Sequence, residues 1–188
     1  MNDPNPPHQP TALLVIDMQK GLFSGPVAPH HADTLIANVN ALIANARRSG
    51  APIHFAQHSG PPGTPVEPGC PTWALLDALD VAPTDHVFQK TRPSAFWETD
   101  LDARLRAAGI RRLVIAGLKT DYCVDTACRV AFELGYQPVL ASDAHSTTDS
   151  PVLPAEAIIR HHNHTLGSLF ARCVATADVS FDPEGALR

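Results

Sequence analysis

The chain has 188 residues, 44% of them apolar and 18% charged, with a formal net charge of −5. That length suits one full-sized hydrophobic core rather than two, and no Lys/Arg cluster exceeds pairs such as Arg47-Arg48, which excludes a basic nucleic-acid-binding stripe. No stretch approaches the ~20 uninterrupted apolar residues of a membrane span, and the cysteines Cys70, Cys123, Cys128 and Cys173 lack the C-x-x-C spacing and density of a disulfide scaffold.

Residues 1–10 are polar and carry four prolines, which predicts a disordered tail ahead of a single domain over 11–188. The tail lacks the charged-then-apolar profile of a secretory signal, so a cytoplasmic protein with reduced thiols is expected. Residues 12–16 are a compact apolar run ending at Asp17, the pattern of a buried strand. Over 33–49, Leu35, Ile36, Val39, Leu42, Ile43 and Ala46 fall on one helical face, and Gly50 is placed to end the helix. A second strand is expected over 52–56, then a Gly/Pro-rich loop over 59–71, with a helical pattern resuming over 73–79. Residues 86–89 read as a third strand running into Lys90. Thr99 is expected to cap a helix holding Leu101, Leu105 and Ala108, stopped by Gly109. Residues 112–116 form the clearest strand, ended by Gly117. A helix over 121–134 closes at Gly135, strand five covers 138–141, a further helix 154–166, and a last strand 173–176.

Strands alternating with helices of this length predict an α/β fold: a Rossmann-like, doubly wound parallel sheet with helices on both faces. Ligands in such sheets bind beyond the carboxyl ends of the strands. Asp17 follows strand one, Lys90 follows strand three and Cys123 follows strand four, so the topology brings all three to one edge. The chemistry of that set is coherent. A helix N-terminus and a lysine are expected to lower the thiol pKa of Cys123. Asp17 is placed to take the thiol proton and return it to a leaving amine, while backbone N–H groups in the turn from Gly117 to Cys123 face a developing oxyanion. Against this, a cysteine at a helix start is commonly a small hydrophobe, and an Asp at a strand end is commonly a turn former.

The stretches Leu14-Val-Ile-Asp17-Met-Gln19, Lys90-Thr-Arg-Pro-Ser-Ala-Phe96 and Gly117-Leu-Lys-Thr-Asp-Tyr-Cys123-Val-Asp-Thr-Ala-Cys-Arg129 resemble the three signatures of isochorismatase-like cysteine hydrolases, and Gly135-Tyr136 and Ser142-Asp143-Ala144 continue the match. The resemblance runs from about residue 11 to 176. It implies six parallel strands, an Asp17–Lys90–Cys123 triad, a cis peptide at Leu118-Lys119, and an oxyanion hole from the backbone N–H groups of Lys119 and Cys123. It also implies cleavage of an amide-type bond through a thioester, and assembly as a homodimer or homotetramer. Two departures narrow it. The nicotinamidase-like branch carries a metal-binding Asp-x-His after strand two, whereas this chain has Phe55-Ala-Gln-His58-Ser-Gly, so no metal and no cofactor is expected. Lys119 stands where small or uncharged residues are more usual, and its side chain either enters the pocket or faces solvent.

Phe23, Trp97, Tyr122 and His58 are the candidate substrate-binding residues, an apolar set with one polar anchor suited to a small-molecule pocket. The 59–71 loop is a candidate lid or subunit contact. His161 and His164 share a helical face but lack a third ligand nearby in sequence. Two alternatives stand beside the amidase: a redox protein pairing Cys123 with Cys128, and a non-catalytic binding protein on the same fold.

Overall fold

The computed structural model describes residues 10–24 and 28–182, so the expected tail lies outside the described residues except for Pro10. Six strands, β1 (Thr11–Ile16), β2 (Ile53–His58), β3 (His86–Lys90), β4 (Arg112–Leu118), β5 (Gln137–Ser146) and β6 (Arg172–Val174), form one sheet in the order β3-β2-β1-β4-β5-β6. Every pairing is parallel. The helices are a single turn α1 (Lys20–Phe23), then α2 (Ala32–Arg48), α3 (Leu101–Ala107), α4 (Asp125–Glu133) and α5 (Ala155–Gly167).

Period-two alternation along the central strands divides the core into two layers. Leu14, Ile16, Leu113, Ile115 and Leu140 pack with Leu101, Leu105, Ala127, Ala131 and Leu166 of α3, α4 and α5. Leu13, Val15, Phe55, Val114 and Ala141 pack with Leu35, Val39, Leu42 and Ile43 of α2. Both faces are covered, which is why these strands read as unbroken apolar runs. The order in which strands are added reverses between β1 and β4, a switch point of the kind where open α/β sheets bind ligands.

Four local expectations need correction. Residues 73–79 are not helical beyond a 3-10 turn over Pro71–Trp73. Their backbone is engaged elsewhere: Lys20 N–H donates to Ala74 O, Leu76 N–H donates to Met18 O, and Leu75 bridges Gln19 antiparallel. Gly117 does not end β4, which runs on to Leu118. Strand β5 extends to Ser146, because β4 and β5 pair at Ile115–Leu140, lose register, and resume at Gly117–His145 and Leu118–Ser146. Asp100 rather than Thr99 directly precedes α3, and Thr99 bonds to it from one residue further out: its Oγ1 accepts from Leu101 N–H at 3.4 Å while its hydroxyl donates to Ala95 O, and Asp100 pairs with Arg104 and His86. The 59–71 loop is internally bonded, Gly60 N–H to Val66 O and Gly63 N–H to Glu67 Oε2, and it packs on Gly21, where a Cβ would lie 2.2 Å from Pro65 O.

Gly117 lies beside Ile16 in the sheet with φ 113°, and a Cβ there would fall 2.1 Å from Ile16 O. Gly50 has φ 66° with open space around it. Urea titration is expected to show a loss of about 3 kcal/mol or more for Gly117→Ala, against about 1 kcal/mol for Gly50→Ala, since only the first adds a backbone collision to the strained φ. Equal losses would show that the close approach of β4 to β1 is not the constraint.

Candidate active site

Three strand ends converge at the switch point. Asp17 leaves β1 in the left-handed region, φ 53°, with its N–H bonded to Ala56 O and its own C=O accepting from Gln19 N–H at 2.9 Å. Asp tolerates this conformation better than most residues, and the tight turn holds the carboxylate at the strand's carboxyl edge. Lys90 ends β3 and reaches inward across β2. Its Nζ donates to Asp17 Oδ2 at 2.8 Å, to Arg92 O at 3.2 Å and to Cys123 Sγ at 3.3 Å. Asp17 and Lys90 are each only 2% exposed, while Cys123 is partly buried against the α3–α5 layer. The second carboxylate oxygen, Asp17 Oδ1, is buried with no hydrogen-bond partner.

Cys123 does not sit at the start of a regular helix. Thr120–Val124 form a π-helical turn that runs into α4, and the Leu118-Lys119 peptide ahead of it is cis. The thiol is correspondingly not acidified: burial, and then the neighbouring charge of Asp17, push it up to about 12 against the opposing pull of Lys90. The expectation of a lowered thiol pKa fails first because the sulfur is buried, and second because the Asp17 carboxylate paired with Lys90 offsets the lysine's field at the sulfur.

The other candidates are distributed around this centre. His58 ends β2 opposite Lys90 in register and is half-buried. Burial first, and then the Lys90 charge, lower its pKa, and its Nδ1 has no hydrogen-bond partner. Tyr122 and Trp97 are 58% and 55% exposed. Phe23 packs against the α2 layer, on the other face of the sheet from the layer that holds Cys123. The Lys119 ammonium donates to Thr148 Oγ1 at 3.2 Å. Cys128 is fully buried, and burial pushes its thiol up, which leaves it poorly placed as a redox partner for Cys123. Among the described residues no cluster of three or more His, Cys, Asp or Glu could hold a metal ion, and no helix is long and apolar enough to cross a membrane.

Gln19, in the first motif, is a further functional residue that the sequence pattern does not mark. It is fully buried, and its amide donates to His58 O at 2.9 Å and Trp73 O at 2.8 Å while accepting from His58 N–H at 2.8 Å. It thereby ties the exits of β1 and β2 to the loop that follows. A glutamine immediately after two buried strand-exit residues was the available signal, since a buried amide needs several partners at once.

Because the Asp17 charge raises the Cys123 thiol, Asp17→Asn is expected to move its titration midpoint down from about 12. Iodoacetamide labelling of Cys123 across a pH series, read by peptide mass spectrometry, measures this. An unchanged or higher midpoint in Asp17→Asn would show that burial alone sets the thiol.

The comparisons with known proteins agree with this architecture. An isochorismatase domain model matches residues 11–179. A streptothricin hydrolase of Streptomyces noursei is 38% identical over 143 residues, which cover 76% of this chain and 52% of the relative. The ureidoacrylate amidohydrolase RutB of Pseudomonas syringae pv. syringae is 32% identical over 179 residues, covering 71% of this chain and 69% of the relative. The chain spans little more than half the length of the streptothricin hydrolases it matches. A crystal structure of an isochorismatase family protein superposes with a TM-score of 0.84 at 36% identity, covering 89% of this chain and 99% of that one. With a domain match over nearly the whole described chain and a sheet of the same architecture, this protein belongs to the isochorismatase family.

Proposed function

We propose that the protein is a cysteine hydrolase that opens the C–N bond of a small amide through a thioester on Cys123. The observation that carries the reading is one buried lysine, Lys90, bonded at once to the carboxylate of Asp17 and the sulfur of Cys123. Relatives named as a streptothricin hydrolase and a ureidoacrylate amidohydrolase support an amide-type substrate.

In this reading the thiol keeps its proton until attack, in line with the burial that pushes its pKa up. As Sγ bonds to the substrate carbonyl carbon, Asp17 takes the thiol proton, and the adjacent Lys90 ammonium stabilises the negative charge held between carboxylate and sulfur. The carbonyl oxygen becomes an oxyanion, met by the backbone N–H groups of Lys119 and Cys123. Collapse breaks the C–N bond, and Asp17 delivers its proton to the nitrogen, which departs as ammonia or an amine. Water then attacks the thioester and gives a proton to Asp17. The second adduct releases the carboxylic acid, and the proton returns to sulfur.

Phe23, Trp97, Tyr122 and His58 are proposed to border the substrate. His58, whose pKa is lowered by burial and then by the Lys90 charge, serves as a hydrogen-bonding anchor. The steps as written draw on no metal or cofactor. The same reading places the working protein in the cytoplasm as a homodimer or homotetramer, acting on a small molecule and on neither nucleic acid nor membrane.

A panel of small amides, ureido compounds and lactams, scored for ammonia or amine release, tests the reading. Cys123→Ala is expected to lose at least about a thousandfold in kcat/KM while unfolding at the same urea concentration as the parent. Rapid acid quench of the parent enzyme with its substrate should yield an acyl adduct on the peptide bearing Cys123. Full activity in the alanine variant would overturn the assignment.

A further inference from the structure

Three consecutive residues of the nucleophile turn each find a partner in one short stretch of chain. Lys119 Nζ bonds Thr148 Oγ1 at 3.2 Å, Thr120 Oγ1 meets His145 Nδ1 at 2.8 Å, and the Thr147 hydroxyl donates to Asp121 Oδ1 at 2.6 Å. Thr120, His145 and Thr147 are all buried. Inside the turn, the carbonyl of Lys119 accepts from both Tyr122 N–H and Val124 N–H, each at 3.1 Å, and Asp125 N–H bonds back to the carbonyls of Thr120 and Tyr122.

The direction of the central bond follows from its neighbours. Asn163 Nδ2 donates to the carbonyl of Ser142 at 2.9 Å, which turns Asn163 Oδ1 toward His145 Nε2, also at 2.9 Å. An amide oxygen only accepts, so Nε2 carries the imidazole proton. Nδ1 of the neutral ring is then an acceptor, and the Thr120 hydroxyl must donate to it. A polar chain thus runs from Ser142 through Asn163 on α5 and His145 on β5 to Thr120. The stretch is itself anchored, since Ser146 Oγ donates to His30 O at 2.7 Å and His30 N–H donates to Thr147 O at 2.8 Å. The lost register in β5 makes this possible by bringing His145 alongside Gly117, two residues before the turn begins at Lys119.

The geometry points to residues 145–148 as a brace that fixes the orientation of the nucleophile turn, with Thr120 and His145 as positioning residues for the reaction. This rests on the hydrolase reading above, in which the same turn carries Cys123 and both oxyanion donors. Donors aimed at an oxyanion act only when held close to the position of the charge, and misplacement by about 1 Å is of the size that costs a hundredfold in rate. The turn's own backbone hydrogen bonds set its winding, and the brace adds side-chain bonds that fix its orientation against β5.

The test compares the parent, Thr120→Val and Thr120→Ser by hydrogen–deuterium exchange and by steady-state kinetics on the best amide of the panel. In Thr120→Val, exchange over residues 119–124 is expected to accelerate at least tenfold while the β1 and β2 peptides stay unchanged, and kcat to fall about tenfold to a hundredfold with KM within threefold. Thr120→Ser, which keeps the donor, should restore both. The brace is overturned if turn exchange is unchanged in Thr120→Val, if it rises with kcat unaffected, or if protection is lost evenly through the core. Should Thr120→Val fail to fold, Asp121→Ala breaks the neighbouring bond and is judged by the same two measurements. If no amide is turned over, the exchange data alone decide for or against the brace. The hydrolase reading falls separately, on a Cys123→Ala protein as active as the parent.

Discussion

The buried ion pair between Lys90 and Asp17 is the constraint around which the site is arranged. Two charges at 2.8 Å, both sealed from solvent, must recover from each other and from nearby dipoles what they lose in hydration. Lys90 recovers it with three partners: the carboxylate, the Arg92 carbonyl and the Cys123 sulfur. Removing one member of such a pair commonly costs ~3–5 kcal/mol, whereas replacing both by apolar groups is often neutral or better. Stability alone therefore gives no reason to bury this pair, and its contact with a sulfur does.

The fold makes that contact through strand order. Asp17 and the turn bearing Cys123 leave adjacent strands, β1 and β4, on either side of the switch point, so their proximity follows directly from the topology. Lys90 comes from the edge strand β3, two strands and about 10 Å from β1 at ordinary strand spacing. Only a long, flexible stem ending in a compact charge suits that span. The backbone of His58 and Ser59 fills the gap between them: Gln19 clamps His58, and Ser59 N–H donates to Lys90 O at 2.8 Å. The β1, β2 and β3 exits are thus locked together as a unit, while the nucleophile turn after β4 is held from the other side by the end of β5.

Legibility in the sequence tracked how local each cause was. The apolar runs at 12–16 and 112–116 gave away the central strands, because a strand buried on both faces has no polar alternative. Gly50, Gly109 and Gly135 marked three helix ends, each with positive φ. The helical reading of 73–79 failed because that backbone bonds to residues 18–20, more than fifty positions away. The sequence marks strand β5 only as far as Ala141, since its second half pairs with β4 only after a break in register and Ser142-Asp143 look like a strand stop. The π-helical winding of Thr120–Val124 leaves no periodic mark that separates it from the first turn of an α-helix.

Taken alone, the amino-acid sequence determined the doubly wound sheet, the family through its three signatures, and the delivery of Asp17, Lys90 and Cys123 to one sheet edge, because hydrophobic period and strand-ending residues are properties of neighbouring positions. Tertiary structure alone decided the electrostatics and the bracing. The thiol is raised rather than lowered because it is buried, and because the Asp17 charge beside it opposes that of Lys90. His145 and Gln19 acquired their places because buried polar groups must find partners wherever the packed chain supplies them. Charge and hydrogen-bond balance depend on distances among residues dozens of positions apart, and a linear pattern carries no such distances.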